Sequence, residues 1–169
     1  MIRLIEVALL TLTLIFGPLG AMAAELKIAV VDTDGILMSS SEGKRFQEAV
    51  RKKMDELGRP LSSKRQDLGH QVEEFQKQAS MMKEDARKSK AQELEKKMAD
   101  FDRQAADAEK QLNQFKESQL APLSKKMDQA LEQVAKEEKL DLILRISAVA
   151  WIANKAVDVS DKVRAKFGP

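Results

Sequence analysis

The chain contains no cysteine and no tyrosine, few aromatics, and one histidine, His70. Without cysteine there is no disulfide to form or mispair, no thiolate metal site, no thiol nucleophile and no cysteine-linked lipid. A lone histidine in a charged stretch reads as a solvated side chain, not a ligand or a base. Scarce aromatics argue against a base-stacking surface for nucleic acid. Charge of one sign is also missing. Charged residues make up 33% of the chain, yet the net charge is +2, so no strong global attraction to nucleic acid or anionic lipid follows. There is no phosphate-binding glycine loop and no Ser-His-Asp set. Neighbouring carboxylates such as Glu73-Glu74 and Glu137-Glu138 fall where a charged helix face would put them. The residues read as those of a non-enzyme without cofactor or metal.

Long hydrophobic runs are absent too, except at the start. Arg3 gives a short basic beginning, Val7 to Phe16 is apolar, and Gly17-Pro18 breaks the run before Ala21-Met22-Ala23. That is the layout of a secretory leader with a small-x-small cleavage site. The apolar core falls short of the roughly 20 residues that span a bilayer, so an uncleaved anchor is the weaker reading. A leader at 1–23, export, and cleavage after Ala23 are expected.

Lys, Glu, Gln and Ala are plentiful, and no proline or glycine lies between Gly69 and Pro122. Both features favour long helices. Ser39 and Glu42 have the spacing of a capping box at the start of a helical region, 41–139. Apolar residues then recur at alternating steps of three and four. Leu61, Leu68, Phe75 and Met82 are spaced by seven on a first arm. Leu94, Met98, Phe101, Ala105, Ala108, Leu112 and Phe115 continue on a second. This is an a/d seam, which keeps one stripe against a partner helix. The stripe lapses in "KEDARKSK", so a hairpin tip is expected near 83–90. Pro60 and Pro122 lie equally far from residue 91, which would place two hinge-like kinks at the same height.

The ends differ from the middle. Leu26 to Val31, Leu140 to Arg145 and Ala148 to Ala153 read as short strands, with Ile146-Ser147 as a bend. A final helix is expected from Ser160, with Asp161 early and Lys162, Arg164 and Lys166 late, an order that suits the helix dipole. Segments 24–40 and 140–169 are too small to bury much surface alone, and association is a common remedy. The fold class expected is α+β, predominantly α, with a long antiparallel coiled-coil hairpin on a small β-rich association body.

The stretch "KIAVVDTDGILM" at 27–38 carries the letters of a haloacid-dehalogenase-type phosphatase motif, with Asp32 as nucleophile and Asp34 as acid. That chemistry needs a doubly wound parallel sheet delivering further carboxylates and a lysine, and the next hundred residues are helical. Asp32 to Gly35 therefore reads as a strand end that caps a short helical turn.

Taken together, "KIAVVDTDGIL", the long heptad hairpin and the closing "LDLILRISAVAWIANKAVDVSDKVRAKF" resemble the Skp/OmpH family of periplasmic chaperones. The resemblance implies an ATP-independent holdase in the periplasm. It implies a homotrimer whose strands meet in a central body, and arms that enclose unfolded outer-membrane β-barrel proteins. Ile28, Val30, Leu142, Leu144, Val149 and Trp151 would then belong to the trimer body, and Pro60 and Pro122 to the hinges. Apolar residues of the arms are the client-contact candidates: Val50, Met54, Met81 and Leu120 beyond the seam, and Met82 near the tip. Well-known members are strongly basic, a property linked to lipopolysaccharide or anionic-membrane contact. This chain is nearly balanced, so no such site is carried over. The rival reading from another class is a structural or adaptor rod of the cell envelope, docking one folded partner.

Overall fold

A computed structural model describes residues 26–153 and 157–169. The expected leader, 1–23, and its cleavage point fall outside them. In chain order the elements are β1 (Ile28–Val31), α1 (Thr33–Ser39), α2 (Ser41–Gln78) and α3 (Glu84–Glu138), then β2 (Leu142–Arg145), a 3-10 turn (Ile146–Ala148) and α4 (Ser160–Phe167). The described residues are thus mostly helical, with one small pair of strands. No described helix is long and apolar enough to cross a membrane.

The β-branched run of β1 pairs in parallel with β2, from Ile28 opposite Leu142 to Val31 opposite Arg145. Two bonds fix the register at the entry. The Lys27 amide donates to the Asp141 carboxylate at 2.8 Å, and the Asp141 amide donates to the Lys27 carbonyl at 2.9 Å. The second edge of β1 is taken by the 158–159 segment, where the Val159 amide donates to the Val30 carbonyl at 2.9 Å. Side chains alternate across a strand. Ala29 and Val31 therefore face one side, and Ile28, Val30, Leu142 and Leu144 the other.

The inward side meets the core. Ala29, Val31, Ile36, Met127, Ala130, Val134, Val159, Val163 and Phe167 form one buried cluster, with Ile143 packed against it. Met127, Ala130 and Val134 are the steps of three and four along the root of α3, so that helix lies across the strands. α4 begins at Ser160, as its charge order predicts, and buries Val163 and Phe167.

α1 is capped as the sequence suggests: the Gly35 amide donates to Asp32 Oδ1 at 2.8 Å. A side chain at Gly35 would put Cβ 2.2 Å from the Asp32 carboxylate, so the glycine gives the cap its room. The next cap lies one residue later than expected. Ser40 caps α2, accepting from the Gly43 amide at 2.9 Å, while Ser39 closes α1 by donating to the Gly35 carbonyl at 2.7 Å.

α2 and α3 run antiparallel. Lys126 meets Glu42, Lys64 meets Gln104, and Lys97 meets Gln71. In each pair the residue numbers add to 168. This register corrects the expected alignment of the prolines. Pro60 lies level with Ala108, and Pro122 with Phe46, so they stand about 21 Å apart along the arm at 1.5 Å per residue. Each helix runs through its proline unbroken. The chain reverses at residues 79–83, so 84–90, expected in the tip, instead forms the first turns of α3. Glu84 and Asp85 suit that N-terminus, and the rest of "KEDARKSK" is made of helix formers whose polarity breaks nothing.

The third strand, expected at Ala148–Ala153, is not formed. The chain leaves β2 through the 3-10 turn and continues irregularly. A strand needs an edge to bond to; the second edge of β1 is already filled by 158–159, and 148–153 does not pair with the outer edge of β2.

Candidate functional site

Two surfaces stand out, one on the body and one along the arm. On the body, the outward side of the strand pair is apolar and, apart from Val30, exposed. Ile28, Leu142, Leu144 and Ile146 are exposed, and Trp151 is 79% exposed. Val149 is half-buried, and Val30, on the same side as Ile28, is buried. Parallel strands are normally covered on both faces. Here the helices pack on one, and on the other Ile28, Leu142 and Leu144 leave apolar surface exposed, of the kind that marks an interaction site.

Along the arm, Met54, Met81 and Leu120 are exposed, and Val50 and Met82 are half-buried. The structure does not gather them. Met81 sits in the turn and Met82 lies beside Phe75 and Lys90 just below it. Met54 lies partway up α2. Leu120 lies near the root, where with Asp34, Leu37, Leu123 and Arg145 it lines a cavity of about 190 Å³. They form a ladder of separate apolar points rather than a pocket. Met98 was missed as a surface residue because its spacing puts it on the seam, yet it is 52% exposed.

The root of the arm is tied to the body by polar contacts. Lys126 Nζ donates to both carboxylate oxygens of Glu42 at 2.9 Å and stands 5.0 Å over the Phe167 ring. The Ser41 hydroxyl donates to the Pro169 carbonyl at 2.6 Å. Further out, Lys97 and, more weakly, Lys90 hold the Glu93 carboxyl below its ordinary range, and at the body end of α3 Lys136 does the same for Glu132. Both acids are solvent-exposed, so these pairs trim helix faces and build no reactive centre.

Asp32 and Asp34 do not make one either. Asp32 is committed to the cap, and its amide donates to the Ser160 hydroxyl at 2.8 Å. Among the described residues no group of three His, Asp or Glu side chains could hold a metal ion.

A protein-family model described as outer membrane protein (OmpH-like) matches residues 27–167. No curated protein matches the chain. Among solved structures, a crystal structure of a candidate outer membrane chaperone (OmpH-like) from Caulobacter crescentus CB15 is similar at a TM-score of 0.66. It is 20% identical, with 85% of each chain covered, which is a likeness of fold.

Proposed function

Because the chain belongs to the OmpH-like outer membrane protein family, we propose that it is a nucleotide-independent holdase of the periplasm. It keeps unfolded outer-membrane β-barrel proteins soluble between its helical arms until they are assembled. The family is a chaperone family and not an enzymatic one. The observation that carries the reading is the exposed apolar side of β1 and β2, set at the root of an arm whose first helix runs 37 residues from Glu42 to Gln78, roughly 55 Å at 1.5 Å per residue. Covering that side with copies of itself, three in the family arrangement, would set the arms side by side around a space.

Holding a client without a nucleotide cycle calls for many weak contacts. The dispersed points Val50, Met54, Met81, Met82 and Leu120 suit this, because several arms around one client raise the effective concentration of every contact. Methionine adapts to varied partners through its flexible, polarizable thioether. Pro60 and Pro122, at two heights, would let each helix bend separately.

The test is native mass by light scattering on the exported chain, alone and after a urea-unfolded outer-membrane barrel is diluted into it. A trimer that gains about one client mass and keeps it soluble is expected. A trimer that ignores the client would favour the adaptor rod, and a monomer that ignores it would remove both the association and the function.

A further inference from the structure

The interior of α2 contains a glycine, Gly69, that the fold does not require. Glycine inside a helix costs about 0.5–1 kcal/mol relative to alanine. The usual compensation is a close approach that a Cβ would block, but a Cβ at Gly69 would meet nothing within 4 Å. Gly58 is similarly open, but it lies two residues before Pro60, where the ladder of backbone bonds is already interrupted. Gly69 has no such neighbour.

What Gly69 does is leave a notch in the ridge of α2. In the register of the arm it lies opposite Ala99, also small. The notch opens onto a cavity of about 320 Å³ floored by Leu68, Val72, Met98 and Phe101. Its rim carries Arg65, whose guanidinium stands 5.6 Å from the Phe101 ring centre, and Asp102. Through Val72, Met98 and Asp102 it is continuous with a second cavity of about 520 Å³ that reaches Phe75 and Ala91. The apolar groove thus runs from about Asp102 to Ala91 along α3, roughly 16 Å.

We infer that this groove is a client-binding subsite that takes one or two apolar or aromatic side chains of an extended, uncharged segment of an unfolded chain. This rests on the holdase reading above. Three features choose the occupant. Arg65 stands against Asp102 and Glu95, so the groove carries at most a slight negative excess, which disfavours an acidic segment and gives a basic one little hold. The Arg65 plane already stands over one ring, and a second ring can stack there. The groove is also short: 16 Å accommodates about five residues of extended chain at 3.3 Å each. A neighbouring arm packed as a continuous helix would need the apolar stripe to go on. Towards the body the same helix instead shows Glu109, Lys110, Asn113, Gln114, Lys116 and Glu117 between the isolated apolar points Ala106 and Leu120.

The inference predicts a trade between stability and holding that a structural glycine would not show. Gly69→Gln adds a good helix former and lays an uncharged side chain over the notch. It should raise the thermal midpoint by about 2–4 °C while weakening half-maximal protection of a urea-diluted outer-membrane barrel roughly fivefold. Met98→Gln, on the opposite wall, should weaken protection similarly with an unchanged midpoint. If the wild-type chain protects the barrel and both variants protect it equally well, the subsite is wrong and the holdase reading stands. If the wild-type chain gives no protection, the holdase reading fails first. If Gly69→Gln lowers the midpoint, the glycine is structural and the inference is overturned.

Discussion

Replacing Leu142 and Leu144 by serine separates association from folding, and its size can be worked out. Burying a leucine from full exposure is worth about 1.5–3 kcal/mol. In the single chain Leu142 remains 42% exposed and Leu144 37%. About 0.6–1.2 kcal/mol per side chain is then still to be gained when a partner covers them. In the proposed trimer, two side chains in each of three subunits would give about 4–7 kcal/mol, or between about three and five powers of ten in the association constant. The folded single chain should barely notice, because neither side chain belongs to the buried cluster. Light scattering over a concentration series, with circular dichroism on the same samples, reads both quantities. The expected result is a helical protein whose mass falls to that of one chain at micromolar concentration. Unchanged mass would show that this side is not the association surface. Lost helicity would show that folding depends on it, and that the separation claimed here is false.

Gly43→Ala should be damaging for a local reason. Its Cβ would lie 1.7 Å from the Leu37 carbonyl oxygen, a backbone atom that cannot swing aside. Opening the α1–α2 junction should cost about 1–3 kcal/mol in a urea titration, and a neutral result would mean that the junction is not tightly formed. Acid should expose the Glu93 pairs. A carboxyl held below its ordinary value contributes stability above that value and loses it as pH falls through the lowered one. Wild-type melting midpoints should therefore drop below about pH 4.3 by a small, salt-sensitive increment that Glu93→Gln lacks. Superimposable profiles for the two proteins would leave the pairs with no role.

The sequence was most informative where the controlling forces are local. The Asp32 cap, the start of α4 at Ser160 and the positions of β1 and β2 each depend on a few adjacent residues. The arm register depends on no single residue, and a heptad seam looks the same after a slip of seven or fourteen. Centring the hairpin on residue 91 instead of 84 changes every pair sum by 14, two whole heptads, so the apolar pattern could not tell the two apart. Pro60 and Pro122 seemed to settle the choice and pointed the wrong way. Met98 shows the same limit on a smaller scale. Its spacing assigns it to the seam, but the small residues Gly69 and Ala99 beside it leave it open. The third strand failed for another reason: apolar residues announce a strand but not the edge that would receive it; β1 had given its own to residues 158–159, and the segment leaves the outer edge of β2 unpaired in the single chain.

That allocation explains why the body can be both folded and unfinished. Its core draws on β1, α1, the root of α3 and α4, four elements that already close around Phe167, Ile36 and Val163. β2 contributes only Ile143 to that side and turns Leu142 and Leu144 away from it. The apolar content of β2 is therefore largely unused by the single chain. Natural chains seldom leave an apolar sheet edge and face open without a partner, because both invite aggregation. On the holdase reading proposed above, a chain that collects aggregation-prone segments cannot leave such a surface for its own clients to occupy. Self-association through β2 would resolve this by sealing the body, so that the arms alone would meet the client.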